Sequence, residues 1–300
     1  MATTASQSVL IRTDLWSAMI QEELQEELMA QKMVEYVTDF PDGDTLHIPT
    51  FSSLSARNYI ENTDVIFDDP TSGEFTLTID HYLQSGTYIT DKFREDSFYV
   101  SQVQSKFPQM MVRALMERLE NDIFLLHKEQ TTNDANTING QPHRYVATGA
   151  SGVISLADVW QAKLSLDKAN VPKNGRMAIV DPTVSYQLGQ IDNVFRQDVY
   201  GPNTVIKEGF GGTSFIGRYA GFDFYESNML DEATALDHDA GGALKANMFV
   251  SYETFKGAVR TMPSIEHFRN VGKKRDEYSA LMRYGHGLYR AESLVVVLTA

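Results

Sequence analysis

The sequence predicts an α+β fold rather than a regular strand–helix alternation. Three observations carry this. Met111, Leu115, Leu119, Ile123 and Leu126 form one apolar stripe at helical spacing, which marks a long helix over about 108–130. The region from Thr45 to about residue 91 reads as extended, with strict alternation from Glu74 to Asp80. The last 55 residues are mostly strand-like and end in the run Leu294-Val295-Val296-Val297-Leu298. No internal repeat is visible.

Residues 1–13 are small and polar, the composition of an arm. Asp14 can cap a helix running to about Val37, because Leu15, Trp16, Met19, Ile20, Leu24, Leu28, Met33, Val34 and Val37 fall at helical spacing. Glu22, Glu23, Glu26 and Glu27 crowd its other face, which is either solvated or a docking face for a basic partner. Pro41 to Asp44 is a turn, and Thr45 to Ile48 alternates as a strand. Val65-Ile66-Phe67 is a short apolar run, and Asp68 to Gly73 is a turn cluster. Phe75, Leu77 and Ile79 share one strand face. Arms of about 15 residues at ~3.3 Å each would reach roughly 50 Å. A hairpin that long overreaches its own domain, and an isolated hairpin is marginal in water. Its apolar face therefore needs cover, from another subunit or from a second sheet of this chain.

A polar helix is expected from Lys92 to Ser105, with Pro108 breaking it, kinking it or opening the next one. Gln130 to Gly152, rich in Thr, Asn and Gly, reads as a loop. Ser155 and Asp158 form a capping box for a helix to about Asn170. Met177 to Val180 is a buried strand. Asp181-Pro182 opens another helix, with Tyr186, Leu188 and Ile191 inside. Gly201 to Gly212 is a loop, Thr213 to Tyr225 two strands joined near Gly217 to Gly221, and Asn228 to Ala243 an acidic loop.

Composition narrows the function. Three hundred residues can bury about three quarters of their unfolded surface without staples. There is no cysteine, hence no disulfide, thiolate nucleophile or Cys-based zinc site. No run approaches the ~18 apolar residues of a membrane span, so no membrane partner is expected. Met1 to Val9 has neither basic residues nor an apolar core and is not read as a signal peptide. The net charge of −14 sits almost wholly in the first hundred residues, which hold 18 acidic and 5 basic side chains. No basic stripe for gripping nucleic acid is visible.

The search for chemistry is negative. No two of the seven histidines are closer than sixteen residues, so no helical metal pair exists. Asp237-His238-Asp239 is the one local cluster with ligand chemistry, and it sits in a polar loop. Gly209 to Ser214 fails as a dinucleotide fingerprint because Ser214 stands where glycine is needed, and no phosphate loop or nucleophile elbow occurs. Lys273-Lys274-Arg275 is followed at once by Asp276 and Glu277 and reads as a surface turn. Neither catalytic, cofactor nor metal residues are assigned, and no enzymatic activity is expected.

The order of elements resembles the major capsid protein of tailed bacteriophages, the Hong Kong 97-like coat fold in its podovirus-type form. Gly43-Asp44-Thr45-Leu46-His47-Ile48-Pro49 is similar to the start of that family's extended loop, and Leu77 to Asp80 with Ile89-Thr90-Asp91 to its return arm. Residues 108–130 match the spine helix. Asp181 to Leu188 and Ile191 to Phe195 look like the axial domain's strand-to-helix turn. Gly217 to Asn228 resembles its hairpin, and Tyr284 to Val297 the final strands.

The resemblance implies an N-terminal arm (1–40), an extended β-hairpin loop (41–91), a peripheral domain with the spine helix (92–152), an axial α/β domain (153–257) and peripheral return strands (258–300). It implies homo-pentamers and hexamers in an icosahedral virion capsid around double-stranded DNA, assembled in the host cytoplasm. A separate scaffolding protein, a portal, a cement protein and weak non-specific contact with the DNA are the implied partners. Inter-subunit contact falls to the extended loop: Val65, Phe67, Asp68, Asp69, Phe75, Leu77 and Ile79. The tip at the capsomer axis falls to Tyr200, Pro202, Gly211 and Gly212, with Asn228 to Ala243 competing for that place. No lysine occurs between Lys32 and Lys92, so the covalent crosslink of some members is not expected. An acidic inner face that repels packaged DNA is one reading of the charge excess. An encapsulin-like compartment is the alternative within the fold. A soluble α+β hydrolase or a binding module is the alternative outside it.

Overall fold

The computed structural model describes residues 28–37, 43–51, 54–62, 64, 67–69, 72–96, 100–130, 135–190, 215–233 and 243–300. Two larger sheets organise them, with strands numbered along the chain. The seven-stranded sheet runs in the order β7 (Arg144–Val146), β15 (Leu294–Thr299), β12 (Leu244–Ser251), β8 (Arg176–Val180), β10 (Phe222–Glu226) and β9 (Phe215–Tyr219), and β11 (Glu232–Ala233) pairs with β12. Helices cover both faces. On one side lies α2 (Val100–Leu125). On the other lie α3 (Leu156–Lys168) and α4 (Pro182–Gly189). Leu294, Val296 and Leu298 of β15 join the core shared with α2, and Val295 and Val297 join the core shared with α3 and α4. A strand buried on both faces needs no polar alternation, which explains its continuous apolar run.

Local signals set the flanking helices. Ser155 and Asp158 cap α3 reciprocally, and the Asp158 carboxylate also accepts from the Thr148 hydroxyl at 2.7 Å. Asp181 accepts from Thr183 N at 2.9 Å at the start of α4, and Pro182 supplies the first helical residue. Leu188 is buried in α4, but Tyr186 is 68% exposed rather than inside, and Ile191 lies outside the described residues.

The four-stranded sheet has the order β1 (Val34–Tyr36), β13 (Phe255–Asn270), β14 (Arg275–Leu288) and β4 (His81–Thr90). It packs on α2 through Leu115, Ala280, Met282 and Tyr284. The first residues of β13 are buried or half-buried, and from Arg260 onward most are exposed. The far part of the β13–β14 hairpin therefore stands away from the body. Its turn holds Lys273 and Lys274, the latter at φ +50°, so the basic run is a turn as its sequence suggests.

Several expectations need correction. Residues 30–37 do not continue an N-terminal helix: one 3-10 turn (Ala30–Met33) leads into β1, which pairs in parallel with β13 from Val34↔Phe255. Burial of Met33 and Val34 beside Phe255 overrides the helical spacing. Residues 14–27 lie outside the described residues. Pro108 neither breaks nor opens a helix but lies inside α2. The interior proline costs roughly 3 kcal/mol. Burying Met111, Leu115, Leu119 and Ile123 offsets it at about 1.5–3 kcal/mol each.

The stretch read as a loop over 130–152 contains β7, which pairs in parallel with β15. Polar groups fix this edge. Arg144, fully buried, donates to His127 Nδ1 at 3.1 Å. Arginine can only donate, so His127 Nε2–H donates to Asp231 at 3.0 Å. Burial pushes the Asp231 carboxyl up, but hydrogen bonds from His127 and Lys128 hold it down at about 2. The sheet also crosses the expected domain limits, since β7 lies before residue 153 and β15 after residue 257.

Candidate assembly surface

The extended loop is a hairpin of β2 (Thr45–Phe51) and β3 (Ser72–Thr78), paired from Thr45↔Thr78 to Phe51↔Ser72. Its base is fastened to its own chain. Ile79 N donates to Asp44 O at 2.7 Å, Arg283 pairs with Asp44 at 2.7 Å, and Arg260 donates to Gly43 O. At Gly285 a Cβ would lie 2.1 Å from Thr78 O, so only glycine lets β14 approach the end of β3. Leu77 and Ile79 are buried with Ala258, and Leu46 and Phe75 pack beside them. Phe75 meets Tyr289 edge-on at 5.1 Å.

This corrects the expectation for Leu77 and Ile79. They face the chain's own β13–β14 hairpin and leave nothing for a neighbour to cover. The return arm likewise joins the chain's own sheet, because His81 to Thr90 pairs with Tyr284 to Arg275.

Beyond the base the loop is open. Phe51, Leu54, Tyr59, Ile60 and Phe67 are exposed, Phe67 by 87%. Glu61, Asp64, Asp68 and Asp69 accompany them, with Arg57 as the one cation among the described residues from 54 to 69. Asp68 holds the two sides together: it accepts from Ser55 Oγ at 2.8 Å, from Ser55 N at 3.2 Å and from Arg57. The Ser55 and Arg57 hydrogen bonds lower its pKa. Asp69 is exposed, and Val65 lies outside the described residues. So do Tyr200, Pro202, Gly211 and Gly212, Gly209 to Ser214, and Asp237 to Asp239.

A second exposed apolar set carries no signal in the sequence analysis above: Met262, Phe268 and Val271 on the β13–β14 hairpin, and Tyr82 and Tyr88 on β4. The alternation Tyr82, Gln84, Gly86, Tyr88 outward against Leu83, Ser85, Thr87, Ile89 could have marked β4 as one strand of a sheet. Ion pairs stiffen this hairpin's end. Arg269 binds Asp91 of α1 (Asp91–Asp96) through both guanidinium nitrogens at 2.6 and 2.7 Å, which lowers the Asp91 pKa. Arg94 pairs with Asp276, and Arg275 with Glu277 at 2.6 Å.

Where the loop returns to the body, Asp122 of α2 accepts from Tyr284 OH at 2.6 Å and from Arg118 Nε at 3.1 Å. His81 stacks on Tyr284 with ring centroids 5.2 Å apart. His286 sits between Tyr284 and Tyr36, with neither ring nitrogen hydrogen-bonded. Burial, then the neighbouring His81, pushes its pKa down to about 4. Among the described residues no group of three or more acidic or histidine side chains could hold a metal ion, and no helix is long and apolar enough to cross a membrane.

The described residues offer binding surface: a clamped base, a projecting acidic and aromatic end, and a stiff second hairpin. The chain is similar in fold to the capsid of the cyanophage P-SCSP1u (15% identity, TM-score 0.76, covering 100% of this chain and 95% of that one). It is also similar to a protein of Mycobacterium phage Che8 (19%, 0.69, 96% and 97%) and to the capsid subunit of cyanophage Pam1 (13%, 0.71, 100% and 98%). No curated protein sequence is significantly similar to it. The profile of the phage capsid proteins matches residues 73–297, well over half of the chain. With that span matched and the same coat fold throughout, this chain belongs to the phage capsid protein family.

Proposed function

We propose that the chain is the major coat subunit of an icosahedral shell built from pentamers and hexamers around double-stranded DNA. The observation that carries this is the division of the extended loop. Its base is buried in its own chain, while Phe51, Leu54, Tyr59, Ile60 and Phe67 stand 66–87% exposed at its far part. Contiguous exposed apolar side chains mark interaction surfaces, and obligate interfaces commonly bury ~2,000–5,000 Å². A neighbouring copy is the partner that a shell supplies at every position, and head-to-tail contacts close into rings when the rotation permits. A scaffolding protein, a portal, a cement protein and assembly in the host cytoplasm complete this reading.

Electron microscopy of the purified chain, alone and with its scaffolding protein, tests it. Uniform closed shells are expected, together with their loss when Tyr59, Ile60 and Phe67 are replaced by serine. A monodisperse monomer at high concentration, or shells unaffected by the triple replacement, would overturn it.

A further inference from the structure

Strand β1 is the shortest member of the four-stranded sheet, three residues at its edge paired in parallel with Phe255 to Gly257. Beyond that ladder, Val37 N donates to Gly257 O at 2.8 Å, and the Glu35 carboxylate pairs with Lys256 Nζ at 2.8 Å. On its N-terminal side the turn Ala30–Met33 is anchored: Ala30 and Met33 are fully buried, and Met29 N donates to Glu120 Oε1 at 2.7 Å. The three residues thus form a short strap hung from a fixed turn.

The strap closes over His286. Tyr36, Gly257 and His286 stand in one row across β1, β13 and β14, so their side chains share a face of the sheet. Gly257 leaves the middle of the row empty, and the Tyr36 ring meets the imidazole edge-on at 5.8 Å. A Cβ at Gly257 would come within 2.6 Å of His286 Cδ2 and 2.8 Å of Val34 Cγ1. Both ring nitrogens of His286 are buried without a hydrogen-bond partner. An imidazolium there would carry two unsatisfied donors and a charge. The groups around it give no relief. Asp122 accepts from Tyr284 and Arg118, Glu120 accepts from Met29 N, and Glu35 is paired with Lys256. Burial and then Glu120 push Tyr36 up to about 12, so it stays neutral, and a protonated His81 would add a like charge.

We infer that β1 is an acid-released strap: His286 accepts a proton by lifting Val34 to Tyr36 off the imidazole, while the sheets and helices around it stay folded. Lifting admits water to the ring and leaves the Phe255–Gly257 edge of β13 without its partner strand. This goes beyond the shell reading and does not depend on it.

Hydrogen exchange of the full-length, unassembled chain, corrected for intrinsic rates, reads the opening at residues 33–37, where Gly257 O holds the Val37 amide. With the His286 pKa at about 4 when covered and 6.5 when open, the opening constant should rise ~70-fold from about pH 7.5 to 4.5. The opening should be insensitive to low urea and faster than exchange in β15, as a local event is. In His286→Phe the rise should vanish. Exchange of 33–37 only in step with β15, no rise with acid, or the same rise in His286→Phe would overturn the inference. A second measurement keeps His286 in place. The chain has no cysteine, and Glu35 and Lys256 are register partners, so Glu35→Cys with Lys256→Cys can lock the strap by a disulfide. The His286 ring resonances should then titrate at lower pH in the oxidised chain than in the reduced one. The same midpoint in both forms would also overturn it.

Discussion

Replacing His286 by phenylalanine should remove most of one acid-sensitive component of stability. The imidazole is surrounded by Tyr36 of β1, Gly257 of β13, and Tyr284 of its own strand, with His81 nearby and both ring nitrogens without a partner. Burial and His81 hold its pKa at about 4 against an ordinary 6.5. Between those values the unfolded chain binds a proton that the folded chain refuses, so stability is intact above about pH 6.5 and falls as the pH drops towards 4. At 1.36 kcal/mol per pH decade the full window amounts to about 3 kcal/mol.

Phenylalanine keeps an aromatic ring there and cannot take the proton. Urea unfolding of the unassembled subunit, measured from about pH 7.5 to 4.5, should show the wild type losing roughly 2–3 kcal/mol more than His286→Phe. His127 and His143, also depressed by burial, contribute equally to both proteins and cancel in the difference. Parallel curves across the whole range, or a variant more acid-sensitive than the wild type, would refute the reasoning.

Three further outcomes are expected. Leu77→Ala should cost about 2–4 kcal/mol in urea unfolding, because the side chain is 1% exposed, whereas Phe67→Ser should change subunit stability by no more than about 0.5 kcal/mol while reducing shell yield. Gly285→Ala forces a methyl group against Thr78 O and should destabilise by about 1–3 kcal/mol, with faster proteolysis of the loop than in wild type. Asp181→Ala removes the acceptor for Thr183 N and should lower stability by about 1 kcal/mol in the same unfolding assay, with no effect on the loop.

How far the sequence disclosed the molecule depends on the force holding each part. The stripe of α2, the capping box of α3 and the Asp181-Pro182 start of α4 are local devices, and the structure contains each of them. Strand β7 was illegible because Arg144 is held by His127, seventeen residues away, and by its pairing with Val296 to Leu298. Strand β1 carries helical spacing in its sequence, and only contact with Phe255, far along the chain, decides its conformation. The loop's alternation at Phe75, Leu77 and Ile79 was correct, but alternation names a buried face and not its cover. Ala258 and the close approach at Gly285 supply that cover, and neither leaves a periodic trace.

The clamp at Gly43, Asp44 and Gly285 makes β2 and β3 a lever whose fulcrum is the β13–β14 hairpin. Seven strand residues reach ~23 Å at ~3.3 Å each, so a tilt of about 10° at the fulcrum swings the far end by ~4 Å. That is the width of a side chain. Any movement at the root is magnified at the exposed end, so the packing of Leu77, Ile79 and Gly285 sets where that end meets a neighbour.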